Sequence, residues 1–323
     1  MTTKIIVLSK LIEQGIQQFE LPQKPNNLYG PLRYFMTLGG KRIRPVLTLM
    51  GAELFEVPAK NVLHASVAVE LFHNFTLIHD DIMDAAPLRR GKETVHSKWN
   101  ENIAILSGDV LMVKAYEEIC KQKPEDLPEL LTLFNRTAIE VCEGQQMDMD
   151  FEERDNVSIA EYIEMIRLKT SVLLGCSLEM GAIVAKANKA DREKLYSFGQ
   201  ELGIAFQIKD DILDLYGDPE KFGKQIGGDV MANKKTLLYL LARESANNDQ
   251  MNQFDALEKD TDLTRKVVAV RALFDQLRVQ EKAKNAMELH RKNAMKALVE
   301  INVPEEQKSD LRELAEYLIT REN

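Results

Sequence analysis

Six aspartates in two matching groups carry the densest chemistry in this sequence. The stretch LIHDDIMD (77–84) sets Asp80, Asp81 and Asp84 behind the apolar Phe75, Leu77 and Ile78, and IKDDILDLYGD (208–218) repeats the arrangement with Asp210, Asp211 and Asp214. Carboxylates this close repel one another and are poorly solvated beside apolar neighbours, so each group calls for a cation. In both groups the first and last aspartates are four positions apart, which on a helix projects them from nearly one side. All the candidate ligand atoms are hard oxygens, a set that suits magnesium better than zinc or copper. One such group alone reads as an ordinary solvated helix end. Two with the same spacing, each following an apolar run, make that reading much weaker.

Magnesium held by a few carboxylates usually shares a phosphate ligand, so dedicated cations should accompany the aspartates. GGKRIRP (39–45) offers Lys41, Arg42 and Arg44 in a glycine-rich turn that stops at Pro45, and LRRG supplies Arg89 and Arg90 just after the first acidic group. LKTS brings Lys169 and Thr170, while GKQIGGDVMANKKT brings Lys224, Lys234, Lys235 and Thr236. Arginine grips phosphate bidentately and lysine acts as a mobile point charge. Singly, each of these is ordinary surface charge, and GGKR is neither a P-loop nor a dinucleotide fingerprint. Alternating with carboxylate pairs, they describe a site for two polyphosphates, one bridged by metal and one held by direct cationic contacts.

Such residues need rigid elements to hold them. Eight of the ten prolines lie at or before Pro128, which leaves two stretches of more than eighty residues without the strongest helix breaker. Within them Leu263, Val267, Val270, Phe274 and Leu277 step by four and three along one helical face, and Leu311, Leu314, Leu318 and Ile319 form a similar stripe. No convincing run of alternating strands, repeat or low-complexity linker interrupts the pattern. The expectation is an all-α fold of roughly ten helices in a single domain over residues 1–323. Breakers put loops at 20–31 and 121–128, and end helices near Pro87 and Pro219. Each acidic group therefore stands at a helix C-terminus, where the partial negative charge makes added carboxylates unfavourable without a counter-charge.

Composition narrows the class further. A net charge of −9 and a pI near 5.3 argue against general nucleic-acid binding, which needs a basic surface. Cys120, Cys142 and Cys176 share no tight spacing with each other or with the five histidines, so neither a zinc site nor a disulfide framework is expected. The N-terminus has too short an apolar run for a signal peptide and no segment approaches a membrane span, so the expected location is the cytoplasm.

GGKRIRP, HNFTLIHDDIMD, LRRG, EGQQMD, KTS, GIAFQIKDDILD and GK…D…NKKT follow one another between Gly39 and Thr236. In that order they resemble the trans-prenyltransferases, the head-to-tail isoprenyl diphosphate synthases that include farnesyl and geranylgeranyl diphosphate synthases. The resemblance implies an isoprenoid-synthase helical bundle around a central apolar cavity, several Mg2+ ions in each active site, and a homodimer. Departures are mild. Ala86 and Pro87 stand where polar residues are frequent, Glu93 where proline is common, and Asn233 replaces the glycine of the usual GKxT. These bear on loop conformation and rate, not on reaction class.

Residue roles follow from the resemblance. Asp80 and Asp84 on one wall and Asp210 on the other would hold magnesium on an allylic diphosphate. Asp81, Asp211 and Asp214 would complete or orient the metal shells, and Asp148 of EGQQMD would hold a metal-bound water. Arg89, Lys169 and Lys224 would contact the same diphosphate, while isopentenyl diphosphate would sit on Lys41, Arg44, His73 and Arg90 without metal. Thr170, Gln207 and Lys234 would lie near the reacting carbon, where oxygen dipoles stabilise an allylic cation. His79 is assigned to packing or hydrogen bonding.

Two rival functions use the same ingredients. A class I terpene cyclase also ionises an allylic diphosphate with magnesium, but would need one aspartate-rich motif and no second diphosphate pocket. A non-catalytic partner subunit of a prenyl synthase would be expected to have lost one motif. Product length turns on Phe72, Phe75 and Thr76. Phe75 and Phe72 lie about 7.5 Å and about 12 Å below Asp80 along a helix axis. In the family, a bulky residue five positions before the first aspartate forms the floor of the tail cavity. Phe75 fills that position, which favours a twenty-carbon geranylgeranyl product, with fifteen-carbon farnesyl diphosphate next.

Overall fold

The computed structural model describes residues 3–218 and 226–320. Helices account for nearly all of it: α1 (Thr3–Gln17), α2 (Asn26–Thr37), α3 (Ile43–Glu53), α4 (Leu63–Met83), α5 (Val95–Lys98), α6 (Glu101–Ile119), α7 (Leu127–Glu153) and α8 (Ile159–Ile166). These are followed by α9 (Val172–Val184), α10 (Lys189–Tyr216), α11 (Gly228–Met231), α12 (Leu237–Ser245), α13 (Asn248–Glu258), α14 (Leu263–Gln276), α15 (Val279–Val299) and α16 (Ser309–Thr320). The all-α expectation holds. Single-turn pieces such as α5 and α11 make the helices more numerous than the roughly ten anticipated. One feature escaped the sequence: a two-residue hairpin in which β1 (Leu88–Arg89) pairs antiparallel with β2 (Lys92–Glu93). Arg90 and Gly91 turn it with φ of 53° and 72°, the positive pair that a tight hairpin requires. Two residues per strand are too few to show alternation.

The chain divides into two compact units, Met1–Phe134 with Cys176–Arg192 and Val303–Asp310, and Asn135–Gly175 with Glu193–Asn302 and Leu311–Asn323. In the first, α4 is the interior element and packs against α1, α3 and α6. Its sequence has neither glycine nor proline, and every residue from Ala65 to Phe72 is buried, as expected of a helix apolar nearly all round. Where α4 meets α6, the imidazole of His79 occupies the space a side chain would need at Gly108, and its Nε2 lies 3.2 Å from the Ile105 carbonyl.

α3 begins two residues before Pro45, so the basic turn runs into the helix instead of stopping at the proline. Proline is tolerated in a first turn because that N–H would have no helical partner. The N-cap is Arg42, held at φ 52° with its guanidinium buried. Its Nη1 bonds the buried carboxylate of Glu70 on α4, and its Nε donates to Glu13 of α1 at 2.8 Å. Burial raises the Glu70 pKa and the charge of Arg42 opposes the rise. This pair ties the basic turn to the helix that carries the first acidic group.

The second unit is built on α10 and a core drawn from α8, α10, α12, α14 and α15, with Tyr162, Ile208, Ile212, Leu237, Val270 and Phe274 among its members. The stripes predicted for α14 and α16 are found inward: Val270, Phe274 and Leu277 are buried, as are Leu311, Leu314, Leu318 and Ile319. Among the described residues no helix is long and apolar enough to cross a membrane.

Removing one partner of a buried ion pair strands the other charge, which costs about 3–5 kcal/mol. Because Glu13 still pairs with Arg42, Glu70→Ala should lower stability by somewhat less, about 1.5–3 kcal/mol, in urea unfolding. An unchanged unfolding midpoint would mean that water reaches Arg42 and replaces the carboxylate.

Candidate active site

Both acidic groups do stand at helix C-termini. Asp84 is the C-cap of α4, its N–H bonding the Asp80 carbonyl at 2.8 Å, and it is exposed while Asp80 is partly buried. Asp81 turns the other way. Its side chain is 2% exposed and takes Arg89 Nε on both oxygens at 2.9 Å, with Arg89 Nη2 2.7 Å from Oδ1. Burial raises its pKa and the bonds from Arg89 oppose the shift. The hairpin that carries Arg89 is fastened by Thr94, whose Oγ1 donates to the Ala86 carbonyl at 2.8 Å and whose N–H donates to the Pro87 carbonyl at 3.1 Å.

The same unit gathers the basic residues around a histidine. Arg44 Nη1 lies 3.2 Å from His73 Nε2. Burial first, then the charges of Arg44, Arg90, Arg89 and Arg42, hold the His73 pKa well below the ordinary imidazole range. His73 is thus neutral, and beside a permanently charged guanidinium its Nε2 accepts while Nδ1 carries the proton. Arg90 extends across Gly40 (φ 154°), where an added Cβ would fall 3.0 Å from Nη2. Partial burial lowers the Arg90 pKa, against the pull of Glu70 and with Arg42 and Arg89 adding repulsion. No carboxylate stands at ion-pair distance from Arg90 among the described residues. Lys41 sits exposed between Gly40 and Arg42.

In the second unit Asp210, Asp211 and Asp214 occupy the last turns of α10. The middle aspartate again turns inward: Asp211 Oδ2 accepts from the Tyr162 hydroxyl at 2.5 Å and the Leu237 N–H at 3.3 Å, and Oδ1 from Gln207 Nε2 at 3.2 Å. Burial, then the charge of Asp229, pushes Asp211 up to about 8 in spite of those bonds. Asp214 Oδ2 accepts the Asp229 N–H at 3.1 Å. Asp210 remains partly buried near the helix end.

Lys169 and Thr170 lie on a π-helical turn, Arg167–Ser171, between α8 and α9. Such a turn inserts a residue into the helical register and re-aims the side chains it carries. Lys169 Nζ bonds Asp148 Oδ2 at 2.6 Å, and Thr170 Oγ1 lies 3.4 Å from Gln207 Oε1. α7 approaches this turn closely at Gly144, where a Cβ would fall 2.2 Å from the Lys169 backbone nitrogen. That contact explains the glycine of EGQQMD.

Among the described residues no three of the His, Cys, Asp and Glu side chains form a ready-made cage for a metal ion. Magnesium does not require one: it keeps waters and takes one or two carboxylates together with substrate phosphate oxygens. The pairs Asp80/Asp84 and Asp210/Asp214, all oxygen donors at helix ends, fit that mode.

The family model described as polyprenyl synthetase matches residues 25–276, well over half the chain. The chain belongs to the polyprenyl synthetase family. It is 37% identical to a geranylgeranyl pyrophosphate synthase of Geoglobus acetivorans, covering 98% of this chain and 97% of that one. It is also 39% identical to a geranylfarnesyl diphosphate synthase of Natronomonas pharaonis over 73% of this chain and 74% of that one. A crystal structure of a geranylgeranyl pyrophosphate synthase superposes with a TM-score of 0.94 at 43% identity, covering 100% of both chains.

The structure gathers Arg44, His73 and Arg90 with the Lys41 turn, pairs Lys169 with Asp148 and Thr170 with Gln207, and commits Arg89 to Asp81. Lys224 lies outside the described residues. Several residues that sequence reading passed over shape the site. Glu70 and Glu13 anchor the basic turn and Tyr162 anchors Asp211, while Lys235, already named among the basic residues, has its Nζ donating to the Phe151 carbonyl at 2.6 Å. Lys235 was visible as one of a basic pair, but nothing local separates it from Lys234. Tyr162 is 49 positions from its partner.

Gly40→Ala should displace the Arg90 guanidinium and strain a backbone that alanine rarely adopts. If Arg90 holds isopentenyl diphosphate, the KM for that substrate should rise about tenfold, a factor worth about 1.4 kcal/mol, with the allylic KM little changed. Steady-state kinetics varying each substrate in turn check this; an unchanged value would separate Arg90 from substrate binding.

Proposed function

We propose that this chain catalyses the magnesium-dependent head-to-tail condensation of isopentenyl diphosphate with an allylic prenyl diphosphate, releasing pyrophosphate and giving a short-chain all-trans prenyl diphosphate. The observation that carries the reading lies in the first unit. Among the described residues Arg90 has no carboxylate at ion-pair distance, and it stands among guanidinium groups with a neutral His73 that bonds Arg44. That unit also holds the oxygen pair Asp80/Asp84. A metal-type carboxylate pair and a separate cationic pocket suit two diphosphates handled differently, which a terpene cyclase would not need.

In this reading Lys41, Arg44, His73 and Arg90 hold isopentenyl diphosphate by direct contacts. Asp80, Asp84 and Asp210 would hold the ions for the allylic diphosphate, with Asp214 supporting, and Lys169 and Lys234 would contact its oxygens. When bound, magnesium offsets the charge that builds on the departing pyrophosphate. Asp81 and Asp211 orient their neighbours: one fixes Arg89, the other fixes Gln207 and the start of α12. Asp148 sets the position of the Lys169 ammonium. Pre-placed cations lower the ionisation barrier electrostatically, and the Thr170 and Gln207 oxygens face the developing allylic cation. The double bond of isopentenyl diphosphate attacks that cation, and the proton then lost goes to pyrophosphate, so no side chain serves as general base.

The matched region 25–276 contains both aspartate motifs, which supports one synthase domain. Exposed Ile105, Leu106 and Val113 on α6 support a homodimer. The unbridged cysteines Cys120, Cys142 and Cys176 suit a cytoplasmic enzyme.

Incubated with magnesium, labelled isopentenyl diphosphate and an allylic primer, the protein should yield a longer linear prenyl diphosphate. Asp80→Ala and Asp210→Ala should each lower turnover by orders of magnitude while the fold persists. A cyclic hydrocarbon, no product, or near wild-type turnover in either variant would overturn the reading.

For product length we favour twenty carbons. The Phe75 ring meets Phe72 at 5.7 Å and His79 at 4.7 Å, and Thr76 Oγ1 donates to the His73 carbonyl at 2.8 Å. Phe72 is fully buried and packs edge-on against Phe134 at 5.2 Å, so truncating it would cost about 3–5 kcal/mol of stability. Phe75, only partly buried, is the cleaner probe. Phe75→Ala should lengthen the product by at least one isoprene unit on chromatography of the dephosphorylated alcohols. An active variant with unchanged chain length would leave Phe75 a packing residue.

A further inference from the structure

The segment joining α11 to α12 carries Lys234 and is fastened on both sides of it. Downstream, Lys235 Nζ donates to the carbonyls of Phe151 and Glu152, at 2.6 Å and 3.3 Å, in the last turn of α7. The Leu237 N–H, two residues further on, donates to Asp211. Upstream the fastening is Asn233. Its backbone is held at φ 51°, a conformation that asparagine tolerates better than other residues with a side chain. Its Nδ2 donates to the Glu258 carbonyl at the end of α13 at 3.1 Å, and its Oδ1 accepts from Lys266 Nζ of α14 at 2.7 Å.

Lys266 is the unusual member. It is 2% exposed, and its ammonium has the Asn233 amide and, at 3.3 Å, the Glu258 carbonyl as hydrogen-bond partners. Among the described residues no carboxylate pairs with it at ion-pair distance. Burying an ammonium is costly, and an apolar chain of the same length would fill the space at lower cost. Packing therefore does not account for a lysine here, whereas its bond to Asn233 does. Glycine at 233 would supply the positive φ alone; asparagine supplies the φ and the acceptor that Lys266 engages. The adjoining cavity, lined by Asn233, Lys234, Lys266, Asp211 and Asp229, measures about 40 Å3.

We propose that Asn233 and Lys266 form a latch that positions Lys234 for the allylic diphosphate, making both of them positioning residues of the reaction. This rests on the role of Lys234 given above. The two residues are 33 positions apart.

The test is steady-state kinetics of the full chain with each substrate varied, on Lys234→Ala, on Asn233→Gly with Lys266→Met, and on all three changes together. Glycine accepts the positive φ and methionine fills the lysine's space without a charge, so the paired variant should keep a cooperative melting transition above the assay temperature. It should raise the allylic KM about tenfold and leave that for isopentenyl diphosphate within about twofold, the split expected of lost binding at one pocket. In the Lys234→Ala background the pair should add less than about twofold, because a latch acting through Lys234 has nothing left to position. Asn233→Gly alone, read the same way, should move the allylic KM in the same direction. An unchanged allylic KM in the paired variant, an effect that multiplies fully with Lys234→Ala, or loss of the melting transition would each overturn the latch. A wild-type allylic KM in Lys234→Ala would instead overturn the role of Lys234 itself.

Discussion

Carboxylates at the C-terminal end of a helix add negative charge where the backbone already presents it, and the arrangement of both units follows from managing that charge. α4 and α10 each end in an aspartate pair four residues apart with a third aspartate between. In each helix the middle aspartate is drawn inward. Asp81 is neutralised by Arg89 from the hairpin, whereas Asp211 is held by the Tyr162 hydroxyl, the Gln207 amide and the Leu237 N–H. One anchor is ionic and the other a set of neutral donors, consistent with Asp211 rising to about 8. With the middle carboxylate turned inward, the flanking ones are those that the proposed function assigns to metal.

The positive side is arranged by the same logic. Arg42 is spent on Glu70 and Glu13, and Arg89 on Asp81, so these guanidinium groups build the site. Arg44 and Arg90 then flank a histidine that their own field keeps neutral, and a neutral imidazole can accept from Arg44 without adding charge. Such a cluster concentrates positive charge at the turn, which is the basis for assigning it to a diphosphate in the proposed function.

Three backbone irregularities fall where chemistry is assigned. The π-helical turn carries Lys169 and Thr170, the left-handed Asn233 precedes Lys234, and the left-handed Arg42 lies between Lys41 and Arg44. Each is held from outside: by the close approach of α7 at Gly144, by Lys266, and by Glu70 respectively. Strained or re-registered backbone persists only where surrounding contacts over-determine it.

The residues to which chemistry is assigned could be named from the sequence because chemistry is local in type and spacing: paired aspartates, a glycine-rich basic turn and a proline-poor remainder point to oxygen ligands, cations and helices without coordinates. Helical stripes such as Val270, Phe274 and Leu277 were equally plain, since a period of 3.6 is written along one segment. What the sequence could not display were partnerships between distant positions. Asp81 and Asp84 look alike in the sequence, yet one is sealed against Arg89 and the other is exposed. Lys234 and Lys235 are neighbours, yet Lys235 closes the end of α7. The hairpin at 88–93 had too few residues for alternation, and the π-helical turn differs from an α-helix by hydrogen-bond register alone. Burial and hydrogen-bond partnership are set by which segments pack together, and one segment read alone does not contain that information.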